Sequence, residues 1–184
     1  MNKVKLRRIL VNIHLYLATL LAPAFLLMAI TGGLYLAGVE GETSETELAV
    51  PAGYALNADN PELESEVRRY IADQNLDVGF DYIRGRGENF MTRPTSRPHL
   101  SVENGEQGTV VRLVEPDLLS SLTELHKGHG PQIYRTYGIF VGAALFFVVF
   151  GGVLVGLLAP AYRRPTILTL AAGTVIFSYL AFWA

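Results

Sequence analysis

From Ile9 to Val39 this 184-residue chain has no Asp, Glu, Lys or Arg, and the same gap recurs over 136–162 and over 165–184. Crossing a hydrocarbon layer about 30 Å thick takes roughly 20 mostly apolar residues at 1.5 Å of helix rise each. At 31, 27 and 20 residues, each gap is long enough. The chain is therefore expected to build three transmembrane helices, over 9–38, 134–159 and 166–184.

Charge placement sets the expected orientation. Lys3, Lys5, Arg7 and Arg8 fill residues 1–8, and Arg163 and Arg164 fill a short link at 160–165. Basic residues flanking spans stay on the cytoplasmic side. All 17 acidic residues lie between Glu40 and Glu124. The expected location is thus a bacterial inner membrane, with a cytoplasmic N-terminus and with residues 39–133 and the C-terminus periplasmic. The first apolar run is about twice the 7–15 residues of a signal-peptide core, which favours an uncleaved anchor. No cysteine is present, which rules out thiolate-bound metals.

Between the first two spans the expected architecture is a small α+β domain, one helix on an antiparallel sheet, over 56–121. An acidic, Ser/Thr-rich linker over 39–55 precedes it and an elbow over 122–133 follows. In NPELESEVRRYIADQN, Asn60 is placed to cap a helix and Pro61 to open it. Leu63, Val67, Tyr70 and Ile71 recur at i, i+4, i+7 and i+8, so this helix has one apolar face and must lie on something. VGFDYIRGR and NFMTRP read as strands, and HLSVENGEQGTVVRLV reads as two strands around an Asn-Gly turn. That makes three or four strands, with Gly85 and Gly87 in a turn. Within the spans, Pro23 is expected to kink the first. Thr31, Gly32 and Gly33 form a notch near its outer end. Gly138 with Gly142, and Gly152 with Gly156, put small residues on one helix face, for packing among the spans or across a homodimer.

With NIH at 12–14, AITGGLYL at 29–36 and LHKGHG at 125–130, a basic start and a Gly-rich second span, the chain resembles the PepSY-associated transmembrane proteins, specifically their shorter three-span members. The resemblance implies that the exported module is a PepSY-like domain. It also brings two associations: larger relatives are linked to iron uptake, some resembling haem-bearing reductases of ferric siderophores, and the PepSY module is known as a protease-inhibitory or regulatory domain. This chain has fewer spans and one exported module, and no histidine lines its third span.

His14, His126 and His129 are the candidate haem ligands. A haem in a helical bundle takes two imidazoles from the same depth. His14 lies near the cytoplasmic end of the first span, and the 24 residues from it to Gly38 make about 36 Å of helix. His126 and His129 sit at the opposite surface, so one iron cannot take a ligand from both groups. His126 and His129, three apart, would share a helix face and suit a small metal ion with Glu124, but KGHGP breaks a helix. Haem b in a dimer, or shared with a partner subunit, remains open, as does an interfacial His14 satisfied by water or head groups. His99 reads as a strand residue.

No serine has a His and Asp pattern beside it, and no glycine-rich loop joins strand to helix. The acidic exported region gives no support for nucleic-acid binding. The favoured expectation is a non-catalytic membrane protein. It would bind lipid and another membrane or periplasmic protein, or itself, as an accessory subunit of an envelope complex. The alternatives are a haem-b electron-transfer protein of iron or siderophore reduction and a protease-inhibitor-like regulator.

Overall fold

The computed structural model describes residues 3–51, 56, 60–86, 89–105 and 108–183. The chain divides into two compact units, one of residues 1–25 with 139–184 and one of residues 26–138. Three helices, α1 (Lys3–Leu36), α4 (Gln132–Leu158) and α5 (Arg163–Phe182), are long and apolar enough to cross a membrane. Pro23 lies inside α1.

In the first unit, burial is confined to a few positions. Leu21 and Ala24 of α1, Val141, Ala144 and Val148 of α4 and Ala159 after it are buried, whereas among the described residues α5 buries none. α5 begins earlier than expected and takes Arg163, Arg164 and Pro165 into its first turn. Proline is tolerated there, because the N–H it lacks would have had no intrahelical partner.

The second unit holds five antiparallel strands in the order β1-β5-β4-β3-β2. They are β1 (Thr43–Leu48), β2 (Tyr82–Arg86), β3 (Asn89–Arg93), β4 (His99–Gly105) and β5 (Gly108–Pro116). Pairing of Leu100 with Leu113, Val102 with Val111 and Phe90 with Val102 aligns the apolar residues on one face. Helix α2 (Leu63–Asp73) contributes Leu63, Val67, Tyr70 and Ile71 to the same core, which Leu56 and Phe80 complete. Burying each such side chain stabilises the fold by about 1.5–3 kcal/mol, so this seam holds the unit together. The entry to α2 is a tighter turn than expected. Asn60 accepts from the Glu62 N–H, and the Leu63 N–H reaches the Asn60 carbonyl, so the helix proper starts at Leu63 and not at Pro61.

Three expectations are corrected. Residues 43–48, read as linker, form edge strand β1, whose ladder to β5 runs from Thr43↔Pro116 to Leu48↔Val111. Asn104 and Gly105 do not form the β4–β5 turn. They are ladder residues opposite Thr109 and Gly108, and the connecting residues 106–107 lie outside the described residues. Gly85 is likewise inside β2 opposite Phe90, where a side chain would collide with that residue; Gly87 lies outside the described residues.

The elbow resolves into helix α3 (Leu118–His126), a turn through Lys127 and Gly128, and α4. α3 starts before residue 122 because Asp117 caps it, its carboxylate accepting from the Ser120 N–H at 2.6 Å. Asp117→Ala removes that cap and is expected to lower the denaturation midpoint of the full chain in detergent. The helix stops at His126. Gly128 turns the chain at φ +78°, and the His129 N–H reaches back to the Glu124 carbonyl.

Candidate functional site

His14 packs within the first unit. Its Nδ1 stands 2.9 Å from the backbone oxygen of Val148 on α4. A carbonyl only accepts, so Nδ1 carries a proton, and in the neutral ring the lone pair is at Nε2. Gly152, one turn beyond Val148, makes the approach possible, since a Cβ there would come within 3.3 Å of the ring.

His126 repeats this arrangement in the second unit. Its Nδ1 lies 2.8 Å from the hydroxyl of Thr31 near the end of α1. Thr31 has a single hydroxyl proton, and that proton goes to the Leu27 carbonyl at 2.7 Å. With that proton on the carbonyl, the hydroxyl accepts from Nδ1–H, and in the neutral ring the lone pair is again at Nε2. Gly32 takes the place of Gly152 here, and a Cβ on it would lie 3.1 Å from the ring.

Beside the His126 ring lies a cavity of about 270 Å³ lined by Thr31, Gly32, Tyr35, Thr123, His126 and Lys127. The Thr123 hydroxyl is buried and has no hydrogen-bond partner among the described residues. Lys127 sits over the Tyr35 ring at 4.8 Å and bonds Glu40 at 3.3 Å.

His129 belongs elsewhere. Its Nδ1–H donates to Glu124 Oε2 at 2.8 Å, and the same oxygen accepts from the Thr95 hydroxyl at 2.5 Å. Thr95 in turn accepts from the buried Arg93 guanidinium at 2.7 Å. The Thr95 N–H bonds the His129 carbonyl, so the cluster ties the β3–β4 loop to the turn after α3. His126 and His129 thus point to different partners, and no group of three or more possible metal ligands forms among the described residues.

Among the groups displaced in pKa in and around this cluster, His99 and Glu124 titrate on the acid side of neutrality. Burial holds the His99 imidazole below its ordinary value of 6.5. For Glu124, burial is the largest influence and pushes upward. Hydrogen bonds from Thr95 and His129, with the positive charges around it, bring the carboxyl below 4.5 on balance.

The signs agree. Below pH 6.5 the unfolded chain takes up a proton that folded His99 refuses, and below 4.5 the same becomes true of Glu124. Unfolding free energy is therefore expected to be level between about pH 7 and 9 and to fall in two stages on acidification. A denaturation series across pH checks this, and a stability maximum near pH 5 would contradict it.

Of the other glycines singled out by spacing, Gly156 faces Thr166 of α5, while a Cβ added at Gly33, Gly138 or Gly142 would meet nothing within 4 Å. Sequence spacing did not identify Thr31 and Val148 as the histidines' partners, or Thr123 as a buried hydroxyl. Gly32 and Gly152, read from the sequence as helix-packing positions, are where the rings of His126 and His14 come close.

A haem ligand needs an imidazole with Nε2 free and Nδ1–H held by an acceptor, the pairing that fixes a ligating ring's tautomer. His14 and His126 both meet that requirement, each over a glycine, and the orphaned Thr123 hydroxyl adds an unused polar group beside His126. Each place supplies one imidazole. The cavity beside His126, at about 270 Å³, falls just under the 300–1,000 Å³ of typical ligand sites. Comparison with protein-family models, with curated proteins and with solved structures finds no match for this chain.

Proposed function

We propose that this chain is a haem-b-binding electron-transfer protein of the membrane in which His14 and His126 would hold haem iron at two separate half-sites, each completed by the matching histidine of a second copy. The observation that carries this reading is the setting of the two rings: each has Nδ1 within hydrogen-bond distance of an oxygen on another helix, so that in the neutral ring Nε2 is the nitrogen left to ligate. Bound haem would supply a one-electron ferric/ferrous couple. The chain's own residues do the rest. Val148 and Thr31 hold each ring's tautomer and angle, and Gly152 and Gly32 give the rings room. His129, engaged by Glu124, positions the turn and is not a ligand.

In this reading the basic ends face the cytoplasm and the sheet domain, PepSY-like in layout, faces the periplasm. Ferric iron or a ferric siderophore is the acceptor class that the LHKGHG and AITGGLYL resemblance supports. A visible spectrum of the chain purified gently from haem-replete membranes tests it. A Soret band that disappears when His14 and His126 are both replaced by Ala is the expected result.

A colourless preparation at high purity would leave the second reading, a non-catalytic interaction subunit. Its supporting observation is the exposed sheet face around Arg112, where Glu103 bonds the guanidinium at 2.7 Å and Glu45 lies at 3.9 Å. Such a charged, preordered face suits a protein partner.

A further inference from the structure

The first unit holds a cleft of about 480 Å³ whose charged lining is Arg7, Arg8 and Arg163 and whose apolar walls include Val11, Leu158 and Pro160. No Asp or Glu occurs anywhere in residues 1–25 or 139–184, so nothing within the unit neutralises these guanidinium groups. Arg163 is held in place by its own Nε–H, which donates to the Leu157 carbonyl at 3.1 Å and leaves the terminal nitrogens free of that bond. Basic residues that served only to orient the spans could sit anywhere near the helix ends. Here three converge on one cleft, while Lys5 and Arg164 lie outside its lining.

We propose that this cleft binds the phosphate of an anionic phospholipid, the arginines gripping the phosphodiester and the Val11–Leu158 wall taking the start of an acyl chain. Arginine suits the role, since its planar fork matches phosphate oxygens two at a time. Apolar walls continuous with membrane-length helices select a phosphate that carries acyl chains over a free one. The site does not depend on haem: its ligand is colourless and its residues are not histidines.

The test uses the full chain in neutral detergent, with retained lipid read by native mass spectrometry during titration with phosphatidylglycerol or phosphatidylcholine. The wild type is expected to prefer phosphatidylglycerol by on the order of a hundredfold, since each of the three basic residues near an anionic headgroup contributes on the order of a factor of five. R8Q/R163Q is expected to lose that preference, and K5Q/R164Q, which removes the same charge from outside the cleft, to keep it. R163K, which keeps the charge and loses the fork, is expected to fall between. Equal loss in the two double variants would show a diffuse charge effect and overturn the site. Displacement of the lipid by an equal concentration of glycerol 3-phosphate would overturn the lipid assignment.

Discussion

Glu124→Ala is expected to destabilise the sheet unit by about 3–5 kcal/mol, the cost of stripping a buried charge of its counterion. Arg93 is only 7% exposed, and its guanidinium lies 3.8 Å from the Glu124 carboxylate. Arg93 Nε already has no partner among the described residues, so the carboxylate and the Thr95 hydroxyl are what compensate the charge. The substitution also removes the acceptor of Thr95 and of His129. A comparison inside the same unit makes the magnitude decisive. Glu64 pairs with Arg68 at 2.7 Å, but both side chains are more than half exposed, and Glu64→Ala should cost only about 0.3–0.5 kcal/mol. Denaturation of both variants side by side measures the difference. Equal effects would mean that the Glu124 cluster contributes no more than a surface pair.

Gly41→Val should be nearly as damaging, at about 2–5 kcal/mol from two separate causes, backbone strain and overpacking. Gly41 has φ +86°, a region that costs an L-residue with a side chain roughly 1–2 kcal/mol. A Cβ there would also run into the backbone of Leu119 and Ser120 and the carboxylate of Asp117, none of which can move without breaking the α3 cap. Overpacking of that kind adds about 1–3 kcal/mol. Gly38 has a similar φ of +78°, but a Cβ there would meet nothing within 4 Å, so it isolates the first cause. Gly38→Val should therefore carry only the backbone cost. The measurement is the midpoint of chemical denaturation for each variant, and a Gly41→Val protein no weaker than Gly38→Val would refute the close approach.

Gly41 also shows where the sequence was silent. Long charge-free gaps announce membrane-length helices because they have no other economical fate, and the i, i+4, i+7 pattern of Leu63, Val67 and Tyr70 marks the buried face of α2 by spacing alone. TSETEL announces nothing. It is polar on both faces, with Leu48 its only apolar residue, so no period-2 signal exists. Its strand character comes from a ladder to residues far along the chain. A polar strand at the rim is also how a sheet edge avoids pairing with other chains. The Asn104-Gly105 turn misled for a related reason: the hairpin register is set by Val102↔Val111 and Leu100↔Leu113 in the core, which carries the ladder past the favoured turn dipeptide.

The histidines were legible as candidates and not as a geometry. His14 meets Val148 within the first unit, and His126 meets Thr31 within the second. Which ring nitrogen is free depends on a carbonyl of α4 in one case and on where a threonine sends its single proton in the other. Neither can be read from spacing.

The most direct measurement is the haem-to-chain ratio of the purified protein beside those of His14→Ala and His126→Ala. Two half-sites, each completed by a second copy, predict about one haem per chain in the wild type and about half that in either variant, with His129→Ala unchanged. A single substitution that removes all haem, or two that remove none, would contradict the assignment of the two rings.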